Sequence, residues 1–189
     1  EKASLKNGNQ LNNQFSWVLL SQLYFLSFFF ILIILLVNDK TKAPSFLGLI
    51  TESESLSLKD FSGKYLVLYF YPRDMTSGCT LESQDFRDHY KSFQKHNCEI
   101  LGVSRDSIKS HDKFCEKESL PFKLISDPDE KLCKAYDVMK EKSMYGKKFM
   151  GIERSTFLIN PNGEIIKEWR KVKVPGHVEE VLSELKEAN

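Results

Sequence analysis

The run Tyr65-Leu66-Val67-Leu68-Tyr69-Phe70-Tyr71, closed by Pro72, constrains this chain more than any other stretch. An apolar run without alternation needs cover on both faces, as in an interior strand of an α/β sheet. A helical pattern follows over residues 80–95, with Phe86, Tyr90 and Phe93 at i, i+4 and i+7 on one face. Further on, the pattern predicts a strand at 99–103, a helix at 107–118, a strand at 122–125 and a helix at 129–136. Residues 155–159 and 164–169 read as a hairpin around Asn160-Pro161-Asn162-Gly163, and Val178, Val181, Leu182 and Leu185 mark a closing amphipathic helix. An alternating front half with a terminal hairpin and helix implies an α/β fold, a mixed β-sheet flanked by helices on both faces.

The composition shifts near residue 38. Phe15 to Val37 are 23 residues without a charge, long enough as a helix to cross a hydrocarbon core of roughly 30 Å. No small-residue cleavage site follows, so a single-pass anchor over 15–37 is the direct reading; an apolar tract upstream of the true start is the alternative. Lys2 and Lys6 on one flank match Lys40 and Lys42 on the other, so flanking charge does not orient it. The division expected is an extension at 1–39 and a folded domain at 40–189. The expected setting is cytoplasmic, membrane-anchored if 15–37 is a genuine anchor.

Charge excludes one class of partner. The 27 Lys and Arg residues balance 26 Asp and Glu residues, and the basic ones are scattered, so no nucleic-acid footprint is expected. The four cysteines, Cys79, Cys98, Cys115 and Cys133, form no C-x-x-C, which disfavours both a zinc site and a dithiol oxidoreductase. A reduced setting fits them best. His89, His96, His111 and His177 have no metal-like spacing, and surface or packing roles are expected. No metal or organic cofactor is expected.

Cys79 stands apart because of its place. It lies between the buried strand and the 80–95 helix, at that helix's first turn. A thiol attacks only as thiolate, and a helix N-terminus offers free N–H groups and a positive dipole end to an anionic sulfur. Gly78 permits close backbone approach or positive φ, and Thr76 can point a hydroxyl into the same pocket. A buried, inert cysteine is the competing reading, weakened by the surrounding Pro, Thr and Gly.

At these residues the sequence resembles a known family. Pro72-x-x-x-Thr76-x-x-Cys79 is similar to the active-site signature of the peroxiredoxins. The wider string Tyr69-Phe70-Tyr71-Pro72-Arg73-Asp74 with Gly78-Cys79-Thr80-Leu81-Glu82 resembles the bacterioferritin comigratory protein, or Q-type, subfamily. The likeness runs from about residue 43 to the C-terminus, through Ile152-Glu153-Arg154-Ser155-Thr156-Phe157 and Lys171-Val172-Lys173-Val174-Pro175-Gly176-His177. It implies a thioredoxin-like fold and reduction of hydrogen peroxide and organic hydroperoxides. Carried over, Cys79 is the peroxidatic cysteine, Thr76 bonds peroxide and thiolate, Pro72 shields the pocket, and Arg154 stabilises the charge. A surface pair of Arg154 with Glu153 or Asp74 is the bland reading of that arginine. Ser77 stands where many relatives have Pro.

Many relatives also place a resolving cysteine five positions after the first; here that position is Gln84. Cys98 reads as packed at a strand edge and Cys133 as core filler. Cys115 shares a helix face with Ile108, His111 and Phe114, and the residues alone favour a buried core thiol. The resemblance implies instead the branch whose resolving cysteine lies on the 107–118 helix. Cys79 and Cys115 lie on different helices and a disulfide needs Cα atoms about 4.4–6.8 Å apart, so the 80–95 helix start is expected to unwind before they join. It also implies recycling by thioredoxin or a similar dithiol, and a monomer is the expected state. A one-cysteine peroxidase resolved by an external thiol and a membrane-tethered redox sensor are the alternatives.

Overall fold

The computed structural model describes residues 41–144 and 146–189; the apolar segment at 15–37 lies outside them. Thr41–Asn189 form a compact unit. Its strands are β1 (Leu47–Leu49), β2 (Ser55–Ser57), β3 (Tyr65–Phe70), β4 (Cys98–Ser104), β5 (Lys123–Ser126), β6 (Met139–Met144), β7 (Lys147–Ile152), β8 (Ser155–Ile159) and β9 (Ile165–Trp169). The helices are α1 (Ser77–Lys95), α2 (Ile108–Glu118), α3 (Lys131–Ala135) and α4 (His177–Ala188), with a short 3-10 turn at Leu58–Phe61. Seven strands form one mixed sheet in the order β2-β1-β5-β4-β3-β8-β9, and β6 and β7 pair separately.

β3 lacks alternation because both of its faces are covered. It pairs parallel with β4 and antiparallel with β8. Leu66, Leu68 and Phe70 enter one core with Leu101, Ile125, Phe157 and, from α3, Leu132 and Cys133. Val67 and Tyr69, with Tyr71 beyond the strand's end, enter the other with Phe86 and Phe93 of α1, Phe114 of α2 and Val178 and Val181 of α4. The sheet is therefore helix-covered on both faces, as the pattern predicts.

Boundaries differ from expectation where caps decide them. α1 begins at Ser77, not 80, because Thr76 already takes the extended N-cap conformation. α3 is shorter than 129–136: the Asp127 carboxylate accepts from the backbone N–H groups of Lys131 and Cys133, each at 2.8 Å, and so fixes the start. The β6–β7 ribbon and the three-residue strands β1 and β2 carry little apolar burial, hence no legible period.

β4 carries a close approach. A Cβ on Gly102 would sit 2.6 Å from Leu124 Cδ2 and 2.8 Å from the Tyr69 ring. Tyr69 in turn hydrogen-bonds Ser83 of α1 at 3.0 Å. Gly102→Ala is expected to destabilise by about 1–3 kcal/mol through overpacking, read as a lower melting temperature with the fold retained.

Candidate active site

The end of β3 and the start of α1 build the site. Tyr71 N–H extends the ladder to Val103 O at 3.1 Å, and half-buried Pro72 ends it. The loop turns at Met75, whose φ is 57°, and α1 starts at once. Thr76 gives the helix no side-chain cap; its hydroxyl donates to Arg73 O at 3.1 Å. The N–H of Thr80 bonds Thr76 O at 2.8 Å, which leaves the preceding N–H groups of the first turn for an anion. α2 contrasts, because its N-cap Ser107 accepts from the Ser110 N–H.

Cys79 is the third residue of α1 and is 1 % exposed. Arg154, just ahead of β8, reaches across so that Nη2 lies 3.3 Å from Cys79 Sγ. Gly78 has no positive φ, and a Cβ there would lie 3.4 Å from Nη2, an ordinary contact, so the site shows neither of the two uses expected of this glycine. The other arm of the guanidinium, Nη1, donates to Glu82 Oε2. Glu82 is one turn after Cys79 and wholly buried, and its Oε1 has no hydrogen-bond partner among the described residues. Burial raises its carboxyl to about 7, against the lowering pull of Arg154. The half-buried ammonium of Lys142 on β6 donates to Ile152 O at 2.6 Å; burial, then the charge of Arg154, pull it below its ordinary range.

The geometry thus joins two of the expected residues, Cys79 and Arg154, and places Pro72 and Thr76 in the adjoining loop with no hydrogen bond to the sulfur. Arg154 pairs with buried Glu82 rather than with Glu153 or Asp74. Glu82 is the residue the sequence reading missed; an acidic side chain three positions after a helix-start cysteine shares its face and was the available signal.

The other thiols lie elsewhere, and all four cysteines are free. Cys98 and Cys133 are buried, and burial pushes both thiols far up. Cys115, on α2, is part-buried beside a cavity of about 180 Å³ lined also by His111, Leu120 and Phe122. Burial, then the charges of Asp74 and Asp112, push its thiol up to about 11. His177 is buried, accepts or donates at 2.8 Å to Thr156 Oγ1, and is lowered to about 4 by burial. Among the described residues no cluster of three or more His, Cys, Asp or Glu is placed to hold a metal.

Residues 40–168 match the AhpC/TSA family model. The chain belongs to the AhpC/TSA family. It is 56% identical over 130 residues to Peroxiredoxin Bcp of Xanthomonas campestris, covering 69% of this chain and 81% of the relative. With Peroxiredoxin Bcp of Bacillus subtilis it shares 57% identity over 134 residues, 71% of this chain and 85% of the relative. The solved Xanthomonas campestris Peroxiredoxin Q has a TM-score of 0.71 at 52% identity, covering 75% of this chain and 89% of its own. A structure from a study of alkyl peroxide reduction by the bacterioferritin comigratory protein of that organism gives 0.72 at 50% identity, covering 76% and 91%. The fold is thioredoxin-like, and the protein is a peroxiredoxin of the bacterioferritin comigratory, or Q, type: a thiol peroxidase. Peroxiredoxins act on hydroperoxides and are returned by thiol reductants.

Proposed function

We propose that Cys79 is the peroxidatic cysteine of this peroxidase, acting on hydrogen peroxide and organic hydroperoxides. The observation that carries the assignment is the guanidinium of Arg154, 3.3 Å from Sγ at the uncapped start of α1. An N–H donor on a fixed cation and the positive helix end both stabilise negative sulfur. The thiolate attacks one peroxide oxygen, the O–O bond breaks, and the leaving alkoxide or hydroxide departs as alcohol or water after taking a proton. Sulfur is oxidised to sulfenic acid. Arg154 Nη2 then faces the charge building on the departing oxygen. The Thr76 hydroxyl turns from Arg73 O towards the bound peroxide, and Pro72 shields the pocket from water.

Cys115 resolves the sulfenic acid: its sulfur attacks Cys79, the S–S bond forms and the sulfenic oxygen leaves as water. An external dithiol, thioredoxin or its like, reduces the disulfide. Cys115 is a poor nucleophile while its part-buried thiol is held up at about 11, and it lies on a different helix, so resolution needs the first turn of α1 to unwind. The same raised thiol lends weight to a second reading, in which an external thiol resolves Cys79 directly. Peptide mapping after equimolar peroxide separates the two. A Cys79–Cys115 linked peptide is expected in the wild type, and Cys115→Ser is expected to accumulate a trappable sulfenic acid on Cys79. An unlinked wild type would favour the one-cysteine route.

A reducing, cytoplasmic setting and a monomeric state suit this chemistry. Among the described residues no helix is long and apolar enough to cross a membrane. Tethering through 15–37 is a separate matter, read by membrane fractionation of the native protein.

A further inference from the structure

Asp74 lies in the loop that presents Cys79, and its carboxylate is almost fully buried. It accepts from Tyr71 OH at 2.7 Å and Ser110 Oγ at 2.7 Å. It also faces His111 Nδ1, with Oδ2 at 2.9 Å and Oδ1 at 3.2 Å. The opposite ring nitrogen, Nε2, lies 3.1 Å from Ile125 O. A carboxylate and a carbonyl can only accept. Neutral imidazole carries a proton on one nitrogen and a lone pair on the other, which here would point at an oxygen. With Asp74 ionised, the arrangement closes when both nitrogens donate; the ring, 2 % exposed, would then be an imidazolium paired with a buried carboxylate.

The pair bridges two parts of the proposed machinery. Asp74 belongs to the Cys79 loop, whereas His111 lies one helical turn before Cys115 on α2. The Asp74 N–H is also tied, to Asp106 Oδ2 at 2.8 Å. We propose that His111 is a positioning residue whose charged ring clamps the Cys79 loop to α2, holding the peroxide-reactive conformation and opposing the unwinding that lets Cys79 meet Cys115. The clamp rests on the assignments of Cys79 and Cys115 made above. Asp74 from the loop, Tyr71 after β3 and the Ile125 carbonyl on β5 face His111, and Asp112 and Cys115 on its own helix and Lys123 on β5 line the same cavity. Asp74 is the nearest charge, and its carboxyl lies below the ordinary range: burial opposes this, but the hydrogen bond and charge of His111 together with the hydrogen bonds from Ser110 and Tyr71 outweigh it.

The test uses the reduced full-length protein labelled with 15N-histidine. One histidine is expected to hold protons on both ring nitrogens at neutral pH, and its signal should vanish in His111→Gln. In that variant amide exchange over residues 72–80 is expected to rise ~10-fold or more, the scale of one charge-assisted hydrogen bond. Sulfenic acid formation should slow, while the later Cys79–Cys115 linkage should be as fast or faster. A merely structural loss would slow both steps. If the variant fails to fold, the wild-type spectrum still decides: a buried histidine ring with a proton on only one nitrogen would overturn the proposal. A neutral His111 at neutral pH, unchanged loop exchange, or both steps slowed together would overturn the proposal. The spectra and the exchange need no turnover, so they stand apart from any failure of the Cys79 assignment.

Discussion

Cys79→Ser is expected to lose peroxide turnover by a factor on the order of 10⁴ or more, the scale reached when a covalent nucleophile is removed. Serine keeps the shape of the side chain but not the readily formed anion, since a hydroxyl is a weak nucleophile without an adjacent base. No other thiol is placed to substitute. Cys98 and Cys133 are buried away from solvent, and Cys115 is held up at about 11. The substitution should leave stability within ~1 kcal/mol, since it swaps side chains of similar size. Peroxide consumption with a dithiol reductant and a melting curve read the two effects separately. Activity surviving in Cys79→Ser would overturn the central assignment.

Arg154→Ala is expected to be the second most damaging change, and it should act in two ways. Loss of the Nη2 donor should cost roughly 10²–10³-fold in the rate with peroxide, as for one donor aimed at developing charge. Loss of the Nη1 contact strands Glu82, a wholly buried carboxylate, at a cost of about 3–5 kcal/mol when it is ionised. That second effect depends on pH with a definite sign. Burial already holds the Glu82 carboxyl at about 7, above its ordinary 4.5. A carboxyl raised on folding contributes stability below its unfolded value, and that contribution is lost as pH rises through the folded value. Removing Arg154 raises it further, so the melting deficit should be small at about pH 5 and large at about pH 8. Arg154→Lys should recover much of the stability but little of the rate, because an ammonium cannot present the planar fork that reaches Glu82 and Cys79 together. Equal melting deficits of Arg154→Ala at the two pH values would remove Glu82 from the explanation.

What the chain disclosed of itself follows physical lines. β3 was legible because burial on both faces leaves an unbroken apolar run, and α4 because its one buried face keeps the helical period. The β6–β7 ribbon was not: Lys140, Lys142, Lys147 and Lys148 interrupt any period in a hairpin that buries little. At the site, Pro72, Thr76, Gly78 and Cys79 are neighbours in sequence and could be read together. Arg154 came only with the family resemblance, since 75 positions separate it from Cys79. Glu82 and the Asp74–His111 pair were hidden for another reason. Their meaning lies in what each buried charge faces, and a sequence does not record which oxygen meets which nitrogen.

Gln84 occupies the position where many relatives keep a second thiol. Its Nε2 donates to Glu118 Oε2 at 2.7 Å, and Arg87 Nη1 donates to Glu118 O at 2.8 Å, so the middle of α1 is stitched to the end of α2. On the proposed pairing, a thiol one turn away on the same helix has been exchanged for one on another helix, while the stitch confines opening to the residues ahead of it. The sulfenic acid must then outlast a larger rearrangement before it is captured. During that interval a second peroxide can carry the sulfur to sulfinic acid, which a dithiol does not reverse. On that pairing, the placement of one glutamine would set a race between repair and permanent inactivation, tilted towards inactivation as peroxide rises.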